Sequence, residues 1–179
     1  MPKYVAFLRG INVGGHIVKM DNLRRMFEAL GFANVETFIA SGNVIFDSPS
    51  RSAKTLEQKI ERHLREALGY EVATFIRSTN EVAAVVAYEP FPDAEPDGKD
   101  NALYIAFLAD EPDDEAKRRV LALATPFNDF HIAGRELYWL CRKKISDSEV
   151  SWAALAKALG AQSTMRNSTT VRKLAAKYS

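Results

Sequence analysis

A short segment near the start of the chain combines one arginine with three glycines and an asparagine. Residues 9–15 read Arg-Gly-Ile-Asn-Val-Gly-Gly, and Lys19 follows. A glycine-rich turn between a strand and a helix can present backbone N–H groups to an anion, while arginine adds a bidentate clamp and lysine a point charge. The spacing matches neither a P-loop nor a dinucleotide fingerprint. The alternative is that these glycines only shape a turn that requires positive φ.

Two further polar clusters lie far from this segment in the sequence. Ser41-Gly42-Asn43 separates two apolar runs, and Arg166-Asn167 precedes the last helical pattern. A hairpin turn and a helix cap explain these residues without any ligand. The alternative makes Arg166 a second anion contact, helped by a basic C-terminal segment. Residues 142–179 hold eight Lys or Arg and two acids, a charge of +6, which leaves −5 for the rest of a chain with a net charge of +1.

Residues that commonly catalyse reactions are few in this chain. Of the histidines, His16, His63 and His131, only His16 lies near a candidate site. The single cysteine, Cys141, falls in an apolar strand pattern and is interpreted as an inert core thiol. No Gly-x-Ser-x-Gly or His-Glu-x-x-His pattern occurs, and the acidic residues between positions 93 and 100 lack EF-hand spacing. The sequence therefore indicates no metal and no cofactor.

The composition is that of a globular protein that needs no covalent or metal staple. The chain has 179 residues, of which 47 % are hydrophobic and 26 % charged. One cysteine excludes an intrachain disulfide and gives no indication of an oxidising compartment. No apolar run is long enough for a signal peptide or a membrane span, so we predict a cytoplasmic protein without a membrane partner.

The candidate residues are positioned by alternating strand and helix patterns in residues 1–88. The order β-α-β-β-α-β is the ferredoxin-like pattern. In that topology the first and third strands are antiparallel neighbours at the centre of the sheet. Arg9 ends the first strand and Asn43 begins the third, so both are expected at the same sheet edge. The predicted strands cover residues 4–8, 35–40, 44–46 and 72–77, and the predicted helices cover 20–30, 51–68 and a short segment from 78 to 86.

A second unit follows a polar, acidic stretch at 89–101 that contains Pro96 and Gly98 and is the best linker candidate. Residues 102–160 show a β-α-β-β-α pattern, and 161–179 are predicted as a C-terminal helical tail. The two halves are interpreted as repeats of pattern only, without sequence identity. The predicted strands cover residues 103–108, 129–132 and 137–141, and the predicted helices begin near 112, 148 and 169.

Three motifs carry a resemblance to a known family. Residues 7–15 with Lys19-Met20 resemble the first signature of a bacterial family known only as domain of unknown function 1697. Residues 37–46 are similar to its second signature, and Thr164-Met165-Arg166-Asn167 to its third. The resemblance implies two ferredoxin-like halves and no assigned activity. The chain differs from the usual pattern at Ser168, where members carry Trp, and at 145–150, which lacks a Ser-Lys-Leu-like segment.

We therefore predict an α+β protein with two ferredoxin-like units and a helical C-terminus that binds an anionic ligand, such as a nucleotide or a nucleic-acid phosphate. One alternative is a small-metabolite enzyme that uses the same pocket, with His16 or Ser41 as a reacting group. Another is a self-association module, because a two-layer unit leaves one sheet face free; the oligomeric state itself is open. The predicted ligand-binding residues are Arg9, Asn12, Gly14, Gly15, Lys19, Ser41, Asn43, Arg166 and Asn167.

Overall fold

Both halves of the chain fold as β-α-β-β-α-β units. The computed structural model describes residues 1–11, 17–39, 42–92, 101–142 and 149–178. Unit 1 comprises Met1–Ala83 with Leu174–Ser179, and unit 2 comprises Ala84–Lys173. Each unit contains one four-stranded antiparallel sheet, which confirms the predicted fold class. None of the described helices is both long and apolar enough to cross a membrane.

Unit 1 has the strand order β2-β3-β1-β4, with β1 and β3 at the centre as the topology predicts. Its helix ends follow the local sequence. Ser52 accepts a hydrogen bond from the Thr55 N–H at the start of α2, and Gly69 ends that helix with a φ of 82°. The elements are β1 (Lys3–Leu8), α1 (Met20–Glu28), β2 (Ala33–Thr37), β3 (Asn43–Asp47), α2 (Ala53–Leu68), β4 (Thr74–Ser78) and α3 (Thr79–Ala87).

Alternation along β1 divides its side chains between two buried faces. Tyr4, Ala6 and Leu8 join the core that α1 and α2 cover, where Phe32 stacks on Phe46 with ring centroids 4.3 Å apart. On the opposite face, Val5 and Phe7 are also buried. The central strands of this sheet are therefore covered on both sides.

The outer edge of β4 is occupied by carboxylates from α2. Glu57 is buried, and its Oε1 accepts a hydrogen bond of 3.0 Å from the backbone N–H of Ile76. One helical turn later, the Glu61 carboxyl lies near the backbone N–H of Thr74, which favours its ionised form. Burial raises the pKa of the Glu61 carboxyl, repulsion from Glu57 adds to this, and the Thr74 N–H opposes it.

Glu61→Gln is expected to raise the melting temperature at pH 7 by a few degrees at most. Because the pKa of Glu61 is raised on folding, its ionised form destabilises the folded chain above that pKa, and this cost is relieved as pH falls through it. The amide retains an oxygen for the Thr74 N–H. Melting curves between about pH 4 and 8 should therefore show the gain at neutral pH and its loss near pH 4. A lower melting temperature at pH 7 would contradict this account.

Unit 2 repeats the arrangement with the order β6-β7-β5-β8. Trp139 fills its core, and the indole N–H donates a 2.9 Å hydrogen bond to the buried Asn128 Oδ1. Asp113 caps α4 by accepting from the Ala116 N–H at 2.7 Å, as the acidic start of that helix predicts. The elements are β5 (Ala102–Leu108), α4 (Asp114–Leu121), β6 (Asn128–Ala133), β7 (Glu136–Cys141), α5 (Trp152–Leu159), β8 (Ser163–Asn167) and α6 (Ser168–Tyr178).

Strand β8 lies within residues 161–179, which were predicted as a C-terminal helical tail without a strand. It pairs antiparallel with β5 and supplies the sixth element of unit 2. Its sequence, Ser-Thr-Met-Arg-Asn, lacks the apolar run by which the other strands were predicted, because β8 is an edge strand with only one neighbour. The proposed linker at 89–101 falls largely on residues 93–100, which lie outside the described residues.

The pairing registers also correct the interpretation that the halves share no sequence identity. Tyr4-Val5-Ala6-Phe7-Leu8 in β1 aligns with Tyr104-Ile105-Ala106-Phe107-Leu108 in β5, and only the second residue differs. In each unit an arginine of the last strand faces that second residue: Val5 pairs with Arg77, and Ile105 pairs with Arg166. The two units are therefore nearly identical in sequence in the central strands β1 and β5. Each unit also has an arginine at the equivalent position of its last strand.

Burial of both sheet faces bears on the self-association alternative. In unit 2, Ile105 and Phe107 are buried on the face opposite the α4 and α5 core, as Val5 and Phe7 are in unit 1. That alternative was motivated by a free sheet face, and it stays a prediction.

Candidate functional site

Arg9 and Asn43 lie at one edge of the unit 1 sheet. Phe7 of β1 pairs with Asn43, the first residue of β3, so Arg9 lies just beyond the end of this pairing. The backbone N–H of Arg9 donates to the Ala73 carbonyl at 2.9 Å, whereas its side chain is exposed. The main chain at Arg9 is therefore fixed while the guanidinium faces solvent.

Gly42 and Asn43 are explained by the turn that they form. Gly42 has a φ of +84°, and a Cβ placed there would lie 3.0 Å from the Leu8 Cβ and 3.1 Å from the Ile11 Cγ2. Asn43 is only 3 % exposed, and its Nδ2 donates to the Phe38 carbonyl at 3.1 Å. Asn43 therefore fixes the hairpin, and its amide is not directed at solvent. The neighbouring Ser41 lies outside the described residues.

The glycine-rich loop is anchored where the structure describes its ends. Ile11 is buried, and its carbonyl accepts a 2.9 Å hydrogen bond from the Tyr70 hydroxyl. On the other side, Lys19 is exposed at the N-cap of α1, and its side chain makes no capping hydrogen bond. Three predicted ligand-binding residues and the one histidine near them lie outside the described residues: Asn12, Gly14, Gly15 and His16.

Arg166 and Asn167 lie in unit 2, at the end of β8. The Arg166 guanidinium donates to Thr164 Oγ1 at 2.7 Å and to the Met165 carbonyl at 3.0 Å. Burial lowers the pKa of Arg166 to about 10, so it keeps its charge at neutral pH. Asn167 Oδ1 accepts from the Thr169 N–H at 2.9 Å, which is the predicted capping role at the start of α6. That this cluster joins Arg9 in one site stays a prediction.

Arg77 is a buried arginine that sequence reasoning missed. It is fully buried, and its Nη1 donates to the Ile76 carbonyl at 2.9 Å. The signal that could have revealed it is its place before a helix start, since Arg77-Ser78 precedes α3 as Arg166-Asn167 precedes α6. The third polar motif therefore has a counterpart in unit 1, which points to a structural role in both units.

The titratable residues of the described chain form no candidate metal centre. Within those ranges, no group of three or more His, Cys, Asp or Glu side chains could hold a metal ion. Cys141 is a free thiol and is buried in β7.

Comparisons with known proteins agree with the fold and leave the activity open. The family described as "Protein of unknown function (DUF1697)" matches residues 1–138. A comparison with curated proteins found no match. The chain is similar to the solved structure of the conserved bacterial protein SP0830 from Streptococcus pneumoniae, with 25 % identity and a TM-score of 0.79. The likeness covers 99 % of this chain and 98 % of the other.

Proposed function

The chain belongs to the family of unknown function DUF1697, and from its geometry we propose that it binds an anionic ligand, a nucleotide or a nucleic-acid phosphate. The ligand would bind at the edge of the unit 1 sheet where β1 ends and the glycine-rich loop begins. We propose that the protein acts in the cytoplasm, since its one cysteine gives no indication of an oxidising compartment.

The observation that carries the proposal is the state of Arg9. Two other arginines at the surface of the chain are paired with acids: Arg24 lies 3.7 Å from a Glu28 oxygen, and Arg142 lies 2.7 Å from an Asp129 oxygen. Arg9 makes no ion pair with a described residue. An exposed guanidinium on a fixed strand end can donate two parallel hydrogen bonds to a phosphate.

The other proposed residues act around Arg9 in different ways. Lys19 adds a second exposed positive charge at the far end of the loop. Asn12, Gly14, Gly15 and Ser41 are proposed as further donors. Asn43 supports the site by fixing the turn, because its amide already bonds to Phe38. The second contact predicted at Arg166 and Asn167 stays a prediction, because both residues lie in unit 2 and already bond within it.

Arg9→Ala is expected to weaken phosphate or nucleotide binding by about tenfold or more, because the bidentate contact is lost. The measurement is a thermal-shift titration of the full chain with inorganic phosphate, adenine nucleotides and a short single-stranded oligonucleotide. Arg25→Ala is the matched control, since it removes the same charge from an exposed position on α1. Absence of any shift in the unmodified chain, or equal losses in both variants, would remove the proposal.

A further inference from the structure

A cavity of about 240 Å³ lies within unit 2. It is bounded by the end of α3 with residues 88–92, by strands β5 and β7, and by the first turns of α6. None of the predicted ligand-binding residues lines it. Its volume lies just below the usual range for ligand cavities, so it suits one aromatic ring system with short substituents and is too small for a nucleotide.

Aromatic side chains form one wall of this cavity and support each other. The Tyr88 ring lies 5.4 Å from the Tyr138 ring. Its hydroxyl is 2.6 Å from His131 Nε2, within hydrogen-bonding distance. Phe91 meets the His131 ring edge-on, with centroids 6.4 Å apart. Because each ring is held by a neighbour, the wall is preformed and offers tilted aromatic faces to a planar ligand.

The base of the cavity is apolar. Ile105 and Tyr138 line it and are each only 2 % exposed. Tyr88, in contrast, is 42 % exposed, so this ring stands at the mouth of the cavity. A planar ligand that entered past Tyr88 would bury apolar surface on the base and on the ring, which is favourable.

The opposite wall carries a hydroxyl and a guanidinium on one helix face. Ser168 and Arg172 are one turn apart on α6, and Arg172 Nη2 donates to Ser168 Oγ at 3.2 Å. Ser168 is 5 % exposed, and the hydrogen bond orients the guanidinium along the cavity wall. A guanidinium has five N–H donors, so Arg172 can contact a carboxylate while it keeps bonds to the protein.

We propose that this cavity is a second ligand site, which binds an aromatic carboxylate with its ring against Tyr88 and Tyr138 and its carboxylate on Arg172 and Ser168. The site differs from the proposed anion site in unit 1 in both its residues and its ligand. Glu89 also lines the cavity and carries the opposite charge. An α-ammonium group on the ligand, as in an aromatic amino acid, could therefore find a partner as well.

Calorimetric titration of the full chain with indole-3-acetate and benzoate tests the proposal. Both are expected to bind, whereas benzyl alcohol, which lacks the charge, and acetate, which lacks the ring, bind at least about tenfold more weakly. Arg172→Met should weaken indole-3-acetate binding by about tenfold or more. Lys173→Met removes the same charge from the next, exposed position and should change it by less than about twofold.

A second variant, which fills the cavity, tests the proposal if Arg172→Met does not fold. Val86 lines the cavity from α3, and Val86→Trp should fill the space and abolish binding of both aromatic carboxylates. Titration with the free amino acid tryptophan shows whether Glu89 takes part in binding. If tryptophan binds more tightly than indole-3-acetate, Glu89 contacts its ammonium group. If it binds more weakly, the site takes simple aromatic carboxylates. Arg9→Ala should leave all these affinities unchanged, so this proposal and the anion site in unit 1 fail independently.

No binding of either aromatic carboxylate up to about 10 mM would overturn the proposal. Equal binding of benzyl alcohol and benzoate would do so too, because it would show that the guanidinium plays no part. Unchanged affinity in both Arg172→Met and Val86→Trp would place the ligand elsewhere on the chain.

Discussion

Arg77→Ala is expected to lower the free energy of unfolding of unit 1 by about 3–5 kcal/mol. The side chain is fully buried and is among the largest side chains with no exposed surface. Its removal leaves a cavity where the aliphatic stem packs and leaves the Ile76 carbonyl without the 2.9 Å hydrogen bond from Nη1. The measurement is urea denaturation followed by far-UV circular dichroism, because both tryptophans, Trp139 and Trp152, lie in unit 2.

Two further variants separate the causes of that loss. Arg77→Met keeps most of the volume while removing the charge, so it should be clearly less destabilising than alanine. Arg65→Ala removes an arginine whose side chain is 70 % exposed and should change stability by no more than about 0.5 kcal/mol. A loss below about 1 kcal/mol for Arg77→Ala would show that the buried arginine contributes little to folding.

Gly42→Ala is expected to cost about 2–4 kcal/mol of stability through two separate effects. The residue has a φ of +84°, where an L side chain is strained. The new Cβ would also lie 3.0 Å from the Leu8 Cβ and 3.2 Å from the Leu8 carbonyl oxygen. Leu8 is a buried strand residue whose N–H bonds to the Gly42 carbonyl at 2.8 Å, so it cannot move away cheaply.

Gly31→Ala is the matched control for the crowding part of this cost. Gly31 has a similar φ of +89°, but nothing lies within 4 Å of a Cβ built there. Its substitution should therefore cost only the conformational strain, about 1–2 kcal/mol. The two variants are compared by thermal and urea unfolding of the full chain. Equal losses would show that the space around Gly42 relaxes and that the short distances carry no energy.

The sequence was most informative where structure is determined locally. The capping box at the start of α3 is one case: the Ser78 N–H bonds to Glu81 Oε1 at 2.9 Å, and the Glu81 N–H bonds to Ser78 Oγ at 3.1 Å, as their spacing predicts. Gly31 and Gly69 adopt the left-handed conformation expected after a helix. Strand β8 was missed because its pairing with β5 joins residues about sixty positions apart, which no local pattern reports.

The candidate site could be predicted in its placement but not in the roles of its side chains. Topology alone brings Arg9 and Asn43 to one sheet edge, since β1 and β3 are neighbours in the observed sheet. That Asn43 turns inward to Phe38 depends on packing around the hairpin, which the residue type does not reveal. The cavity at Tyr88 and Arg172 depends on four segments that are separate in the sequence, so no motif could have indicated it.

The carboxylate of Glu57 on the outer side of β4 has a consequence for how chains meet one another. An unpaired strand edge is a template on which a peptide or a partly unfolded copy can add as a further strand. Here the N–H group of Ile76 is already occupied by Glu57 from within the same unit, so that position on the border of the sheet is closed to intermolecular β-pairing. Strand addition of an extended peptide, and fibril growth by the same pairing, are thereby disfavoured at that position of β4.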